Sequence, residues 1–204
     1  MFGITDYAQY CFAILVFLLV PGPGNLALIT STTKGGIAGG MGSILGVMVG
    51  DQILMWAAIA GVSAVLAAYP AAFSAIQWGG AAYLAWLGVK MLLAKPGDAP
   101  ILDIKPRHYF QQSLMITLLN PKAIVFYMAF FPLFINPAHS QGLPTYLALT
   151  LTSSAIMVLY GLCSVGLTYF LAERFRANPK LGAWLAKFAG MCLVGFGIKL
   201  AVSK

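Results

Sequence analysis

Pro21-Gly22-Pro23-Gly24-Asn25 sits in the middle of an apolar run that starts near Tyr7 and continues to about Thr33. An ordinary helix cannot run through it. Each proline removes a backbone donor, and each glycine costs helix stability. The residues from Tyr7 to Val20 make a helix of roughly 21 Å at 1.5 Å per residue, short of a ~30 Å hydrocarbon core. Either the break lies inside a membrane, or the run is not a membrane span.

Composition decides between these. The 204-residue chain is 60% hydrophobic and only 8% charged, against about 25% charged residues in a soluble domain. A soluble fold of this size has too little interior to hide that much apolar surface. A β-barrel would need alternating ten-residue segments, whereas the apolar runs here are longer and unbroken. The expected class is therefore an all-α polytopic membrane protein. No basic residue precedes the first run, only Asp6, and no small-x-small cleavage pattern follows, so the segment is expected to be retained. Cys11, Cys163 and Cys192 are isolated in apolar spans, with no Cys-x-x-Cys, and read as small buried hydrophobes.

Six apolar segments can be drawn, at about 7–33, 40–68, 71–94, 111–135, 145–171 and 183–202. Lys34-Gly35-Gly36, Tyr69-Pro70, the polar stretch 95–110, Asn136-Pro137 to Pro144, and Glu173 to Lys180 separate them. Lys34, Lys90, Lys95, Lys105, Arg107, Arg174, Arg176, Lys180 and Lys187 fall near loops on one side; only Lys199 and Lys204 fall on the other. The positive-inside rule then puts the 95–110 loop in the cytoplasm and both termini outside. The net charge of +7 is read as this topology signal. The charges are too dispersed for a nucleic-acid face, and contact with acidic lipid headgroups is a secondary consequence.

Leu84-x-x-x-Gly88-Val89-Lys90 parallels Leu193-x-x-x-Gly197-Ile198-Lys199, and Leu18-Leu19-Val20-Pro21 parallels Leu118-Leu119-Asn120-Pro121. The matches come in the same order. They suggest two three-helix halves, about 1–95 and 111–204, joined by a linker at about 96–110. Three is odd, so the second half would be inverted, as in many secondary transporters. The expected architecture is one transmembrane domain, 1–204, of six helices in two inverted repeats, the first helix of each half broken.

The two breaks hold the main site candidates: Pro21, Gly22, Pro23, Gly24 and Asn25 in the first half, Asn120, Pro121 and Lys122 in the second. Asn is a favoured N-cap and Pro a favoured first helical residue, so both breaks read as helix starts. Such starts expose unpaired N–H groups that attract carboxylates. Asp51 is the only acid well inside an apolar segment. An aspartate at a helix centre costs about 2.5–3.5 kcal/mol on insertion scales, so it needs a partner, water or a proton. It is read as the proton-coupling residue, with a structural pairing to Lys122 as the alternative. Lys122 itself either joins the site or snorkels to an interface. Gly42, Gly46 and Gly50 form a small-xxx-small stripe, read as helix packing. Phe126, Tyr127, Phe130 and Phe131 read as packing or an interfacial belt rather than a pocket. Gln52 and Gln77 read as interhelical hydrogen-bond partners. His108 and His139 lie in loops, so no metal or cofactor is expected between the helices.

Taken together, Pro21-Gly22-Pro23-Gly24-Asn25, Lys34-Gly35-Gly36 leading to Gly46-x-x-x-Gly50-Asp51, Gly80-Ala81-Ala82-Tyr83-Leu84-x-x-Leu87-Gly88 and Leu119-Asn120-Pro121-Lys122-Ala123 are familiar. The chain resembles, over nearly its whole length, the LysE/RhtB family of amino-acid exporters of the bacterial inner membrane. The family pattern is usually Pro-Gly-Pro-Asn; here Gly24 precedes Asn25. The resemblance implies efflux of amino acids or close derivatives, driven by the proton or electrical gradient. Expected partners are an amino-acid substrate, protons and membrane lipids, with a homodimer left open and no nucleic acid. A membrane-embedded enzyme fits less well, since one intramembrane acid and no intramembrane histidine give little for catalysis. A passive channel or accessory subunit is a third reading, with no ring of charges visible.

Overall fold

The computed structural model describes residues 4, 6–62, 68–93, 104–130, 134–135, 142–177, 184, 187–188, 190–195 and 198. Those residues are helical almost throughout, joined by short turns, with an isolated bridge between Ile4 and Ile135. Residues 96–103 of the expected linker and half of the last apolar segment lie outside the described residues.

Helix α1 spans Tyr7–Leu19, opened by the Asp6 side chain accepting from the Gln9 N–H at 2.9 Å. It stops at the Pro-Gly-Pro break. Helix α2 starts at Pro23, with Gly22 as N-cap, and is assigned through to Ala57. It is not one rod. Gly36 has φ 61° and ψ −154°, a backbone that only glycine adopts readily. Here the chain doubles back. A Cβ at Gly39 would strike the Ser31 carbonyl oxygen, and one at Gly40 would lie 2.6 Å from Thr32 Oγ1. In a straight helix residues eight apart are about 12 Å apart along the axis. Lys34-Gly35-Gly36 is therefore the turn of a helical hairpin, and Lys34 Nζ pins it to the Ile104 carbonyl at 3.1 Å.

The returning limb continues into a π-helical turn, Ala58–Val62. Helix α3, Pro70–Leu93, begins at the proline of the Tyr69-Pro70 turn. Helix α4, Tyr109–Leu118, leads through Leu119 and Asn120 into α5, Pro121–Val125, which becomes π-helical over Phe126–Phe130. Helix α6 spans Leu143–Ala177. It runs past Leu171 into Glu173–Arg176, where a loop is expected. Those are good helix formers, and the first breaker after them is Pro179.

Leu143–Leu171 is long and apolar enough to cross a membrane by length and composition, and Pro23–Gly61, which turns back at Gly36, is nearly as apolar. Burial argues the same way. Phe12, Leu19, Leu151, Leu159, Leu167 and Phe170 are exposed, while Ser43, Asp51, Ser113, Asn120, Lys122 and Ser153 are buried. An apolar outside around a polar inside suits a lipid solvent, and in water it would expose a large sticky surface. Cys163 belongs to the outward face; contrary to the expectation of burial it is exposed, while Cys11 and Cys192 are half-buried.

Lipid gives helices no hydrophobic reason to associate, so close approach and interhelical hydrogen bonds must hold them. The glycine stripe of α2 lies against α4. A Cβ at Gly46 would strike the Phe110 carbonyl oxygen, and one at Gly50 would lie 2.8 Å from Thr117 Cβ. Ser43 and Ser113 hydroxyls pair at 2.7 Å across the same interface. Gln52 Nε2 donates to the Thr150 carbonyl at 3.1 Å and to Ser154 Oγ at 2.5 Å, tying α2 to α6. The Gln77 side chain lies outside the described residues.

Gly46→Val forces a branched side chain into backbone, an overpacking that costs at least ~1–3 kcal/mol. The variant is expected to melt several degrees lower in detergent, read by intrinsic fluorescence and size-exclusion chromatography. Gly166→Ala, in the middle of α6 where a Cβ meets nothing within 4 Å, is expected to melt at or slightly above the parent.

Candidate functional site

The end of α1 is the place to begin. A helix leaves its last carbonyls without intrahelical donors. Here Val20 N–H still closes on Val16, which leaves Phe17, Leu18 and Val20 carbonyls needing partners. Lys122 and Asn25 supply them. Lys122 Nζ donates to Phe17 O at 2.8 Å and Val20 O at 2.7 Å. Asn25 Nδ2 donates to Leu18 O at 2.8 Å and Val20 O at 3.4 Å, and reaches the Tyr160 hydroxyl at 3.2 Å. The Lys122 ammonium also lies 4.4 Å above the Phe17 ring centroid, a cation–π distance. The negative end of a helix, two carbonyls and a ring face are favourable surroundings for a cation.

Local sequence explains how Lys122 gets there. Asn120 is the N-cap of α5; its side chain accepts from Lys122 N–H at 3.1 Å, and Pro121 takes the first helical position. Lys122 is thus fixed in the first turn, aimed back at the other break. Gly22 makes room. A Cβ there would lie 3.1 Å from Lys122 Cε and 3.2 Å from Nζ. The two breaks therefore meet, the Lys122 side chain of one against the backbone of the other.

The start of α2 is arranged differently. Gly22 caps it without a side chain and Pro23 has no N–H, so the Gly24 and Asn25 amides have no capping side chain from Gly22. Asn25 serves the end of α1 rather than the start of its own helix. Pro21 is half-buried in the crossover; Gly22, Pro23, Asn120, Pro121 and Lys122 are buried.

Asp51 approaches from the returning limb of α2. It is 4% exposed, as are Asn120 and Lys122. The Tyr127 hydroxyl donates to its carboxylate, and Lys122 is close enough to act on it electrostatically. It is no simple ion-pair partner of Lys122, whose ammonium is taken by α1. Nor does Lys122 snorkel; its whole side chain is enclosed. Asp51 Oδ2 is buried without a hydrogen-bond partner, and so is Thr117 Oγ1.

Asp51 and Thr117 line one cavity of about 30 Å³, together with Asn25, Asn120, Lys122 and the apolar wall of Phe17, Leu28, Val47 and Met157; the third such buried atom among the described residues, Ser31 Oγ, is not in its wall. That is room for a water or two. Anything larger requires the walls to part. A second crevice on the far side of Asp51 is bounded by Tyr127, Ser153 and Met157.

Tyr127, expected to pack or lie at an interface, instead meets the buried acid, while Phe126 stacks on Phe17 with centroids 4.2 Å apart. Phe131 and the Phe130 side chain lie outside the described residues. Tyr10 was not anticipated. It is wholly buried and donates to the Leu149 carbonyl at 2.9 Å and pairs with Ser153. Tyr160 and Thr117 were also missed. A polar tip among apolar neighbours is the signal they offered, and it is common to any interhelical contact. Among the described residues no group of three or more His, Cys, Asp or Glu could hold a metal.

Comparison with known proteins bears on what such a site serves. An uncharacterized membrane protein of Pseudomonas aeruginosa is 33% identical over 98% of this chain and 97% of its own. Leucine efflux proteins of Enterobacter and Klebsiella pneumoniae are each 31% identical over 98% of this chain and over 97% and 96% of theirs. No solved structure matches. The family described as LysE type translocator matches residues 15–204. With the breaks, the buried charges and these relatives taken together, the chain belongs to the LysE type translocator family and is a transporter rather than an enzyme.

Proposed function

We propose that the protein is a secondary exporter of neutral aliphatic amino acids or close derivatives in the bacterial inner membrane, coupled to the proton gradient. The observation that carries this reading is the shared cavity between the two breaks. It holds one buried acid, one buried amine and an apolar wall. One anion plus one cation suits a zwitterion, and Phe17, Leu28, Val47 and Met157 suit an aliphatic side chain. The leucine efflux proteins among its relatives support the same class.

In this reading Pro21 to Asn25 and Asn120 to Lys122 form the substrate site. The carboxylate faces the α2 start, the α5 start and Lys122; Asp51 faces the substrate ammonium or carries the proton. Gly42, Gly46 and Gly50 hold α2 to α4 behind it. The cavity is too small for an amino acid as it stands, which accords with a contracted state of an alternating-access cycle. Two inverted halves, 1–95 and 111–204, joined through a cytoplasmic 96–110 linker, would supply the rocking elements. The basic residues support termini on the periplasmic side. Protons and lipids are its further partners, with a homodimer as an arrangement still to be measured.

Proteoliposomes test the coupling. Asp51→Asn is expected to lower leucine transport driven by an imposed pH gradient at least tenfold, and to flatten its pH dependence. An unchanged rate and pH profile would remove Asp51 from the coupling step. For orientation, a C-terminal alkaline phosphatase fusion should be active and a C-terminal green fluorescent protein fusion dark. The opposite pair of results reverses the topology.

A further inference from the structure

The strongest clue is that the cavity already holds an ammonium, the chain's own. Lys122 Nζ sits on Phe17 O and Val20 O, at 2.8 and 2.7 Å, over the Phe17 ring. Nothing in this seat is particular to lysine. Paired carbonyls, a ring face and a helix C-terminus would receive any primary ammonium. Beside it, Asp51 Oδ2 and Thr117 Oγ1 are buried acceptors with no partner. A buried carboxylate oxygen left bare is costly, and its position on the cavity wall points to a donor that arrives from outside the chain.

We infer that Lys122 is an internal stand-in for the substrate ammonium and acts as a filter for zwitterions. This rests on the amino-acid exporter reading. In the empty carrier Lys122 fills the seat at the end of α1. An incoming amino acid offers its ammonium to the seat and to Asp51 Oδ2, and its carboxylate draws the Lys122 ammonium away. Two cations and two anions then pair. An amine without a carboxylate can enter only by evicting Lys122 with nothing to receive it, leaving a buried unpaired charge. A carboxylate without an ammonium would draw Lys122 off and leave Phe17 O bare and Val20 O with only the 3.4 Å contact from Asn25. Selectivity in this scheme comes from what a wrong ligand leaves unpaired rather than from added attraction to the right one.

Gly22 and Asn25 fit the scheme. Gly22 gives the lysine stem room to swing, since a Cβ there would lie 3.4 Å or less from Lys122 Cδ, Cε and Nζ. Asn25 holds Leu18 O independently, so the end of α1 is not wholly bared when the lysine leaves.

The test uses purified full-length protein, with leucine, 3-methylbutylamine and 4-methylpentanoate as ligands: the zwitterion, its amine and its carboxylate. In the parent, leucine should compete in leucine counterflow and raise the melting temperature, while the two half-molecules do so at least tenfold more weakly. In Lys122→Met the preference should invert. 3-Methylbutylamine should now stabilise the protein at concentrations at least tenfold below those needed in the parent, and leucine should lose most of its advantage over the amine. Lys122→Arg should keep the parent's rejection of the amine. If the parent itself binds 3-methylbutylamine within threefold of leucine, the filter is wrong, whether or not Lys122→Met folds. If Lys122→Met folds and still rejects the amine, the filter is equally wrong. A parent that shows no leucine counterflow and no counterflow of any other neutral amino acid instead overturns the exporter reading itself.

Discussion

The two hydrogen bonds from the Lys122 ammonium to the Phe17 and Val20 carbonyls are the contact on which the other arrangements depend. A helix that ends inside a bilayer leaves carbonyls with no water to satisfy them, and each bare one costs several kcal/mol. Lys122 and Asn25 between them cover Phe17, Leu18 and Val20. The break in the first span is thereby tolerable, and the buried charge at Lys122 is tolerable for the same reason. Neither feature is stable alone. A Cβ at Gly22 would crowd the lysine stem at 3.1–3.4 Å, and Asn120 caps α5 where the lysine leaves it.

Behind this contact stands a helical hairpin. The reversal at Gly36 carries α2 back alongside itself, and the stripe of Gly42, Gly46 and Gly50 seats the returning limb on α4 at near-backbone contact. One residue beyond Gly50 this delivers Asp51 to the cavity wall that Lys122 also lines. The closeness of the packing explains why the polar groups there have so few partners to choose from. Asp51 has Tyr127 for one oxygen and nothing for the other. Rigid packing behind a site with orphaned acceptors is the usual arrangement where binding energy is held for a ligand.

The sequence was informative where physics leaves few choices. With 8% charged residues, no aqueous fold can cover the apolar surface, so the helical membrane class follows from composition. Proline and glycine have few uses in a span, so the positions of the breaks and of the Gly36 turn follow from residue type. The ordered motifs pointed to the family that the whole-chain comparisons show. What the residues alone did not disclose was which partner each polar side chain takes. Lys122 read either as a snorkelling lysine or as part of the site, beside substrate or Asp51; it is buried within electrostatic reach of Asp51, with its ammonium on the end of α1. Asn25 read as part of a helix start, yet its amide serves the preceding helix end. Tyr10 and Tyr127 carry hydroxyls whose use depends on what lies across α6 and α2, and spacing along one helix holds no record of that. The extension of α6 past Leu171 was a misreading of charge as loop; Glu and Arg favour helix wherever the chain leaves the lipid.

The size of the Lys122 interaction also constrains how transport can work. Hydrogen bonds to a charged group contribute about 1.5–3 kcal/mol each, so vacating both carbonyls costs roughly 3–6 kcal/mol before anything replaces them. Millimolar to micromolar affinity is the roughly 4–8 kcal/mol left after such costs are met. A ligand that displaced the lysine without replacing its bonds would have to supply that cost on top. A zwitterion that replaces both of the bonds it breaks can therefore open the cavity at little net cost, whereas water, offering neither a full positive nor a full negative charge, does so much less readily. A carrier needs that property. In the proposed exporter the empty form must stay closed to ions while remaining within reach of its substrate, and a lysine held at the end of α1 would serve both requirements with one side chain.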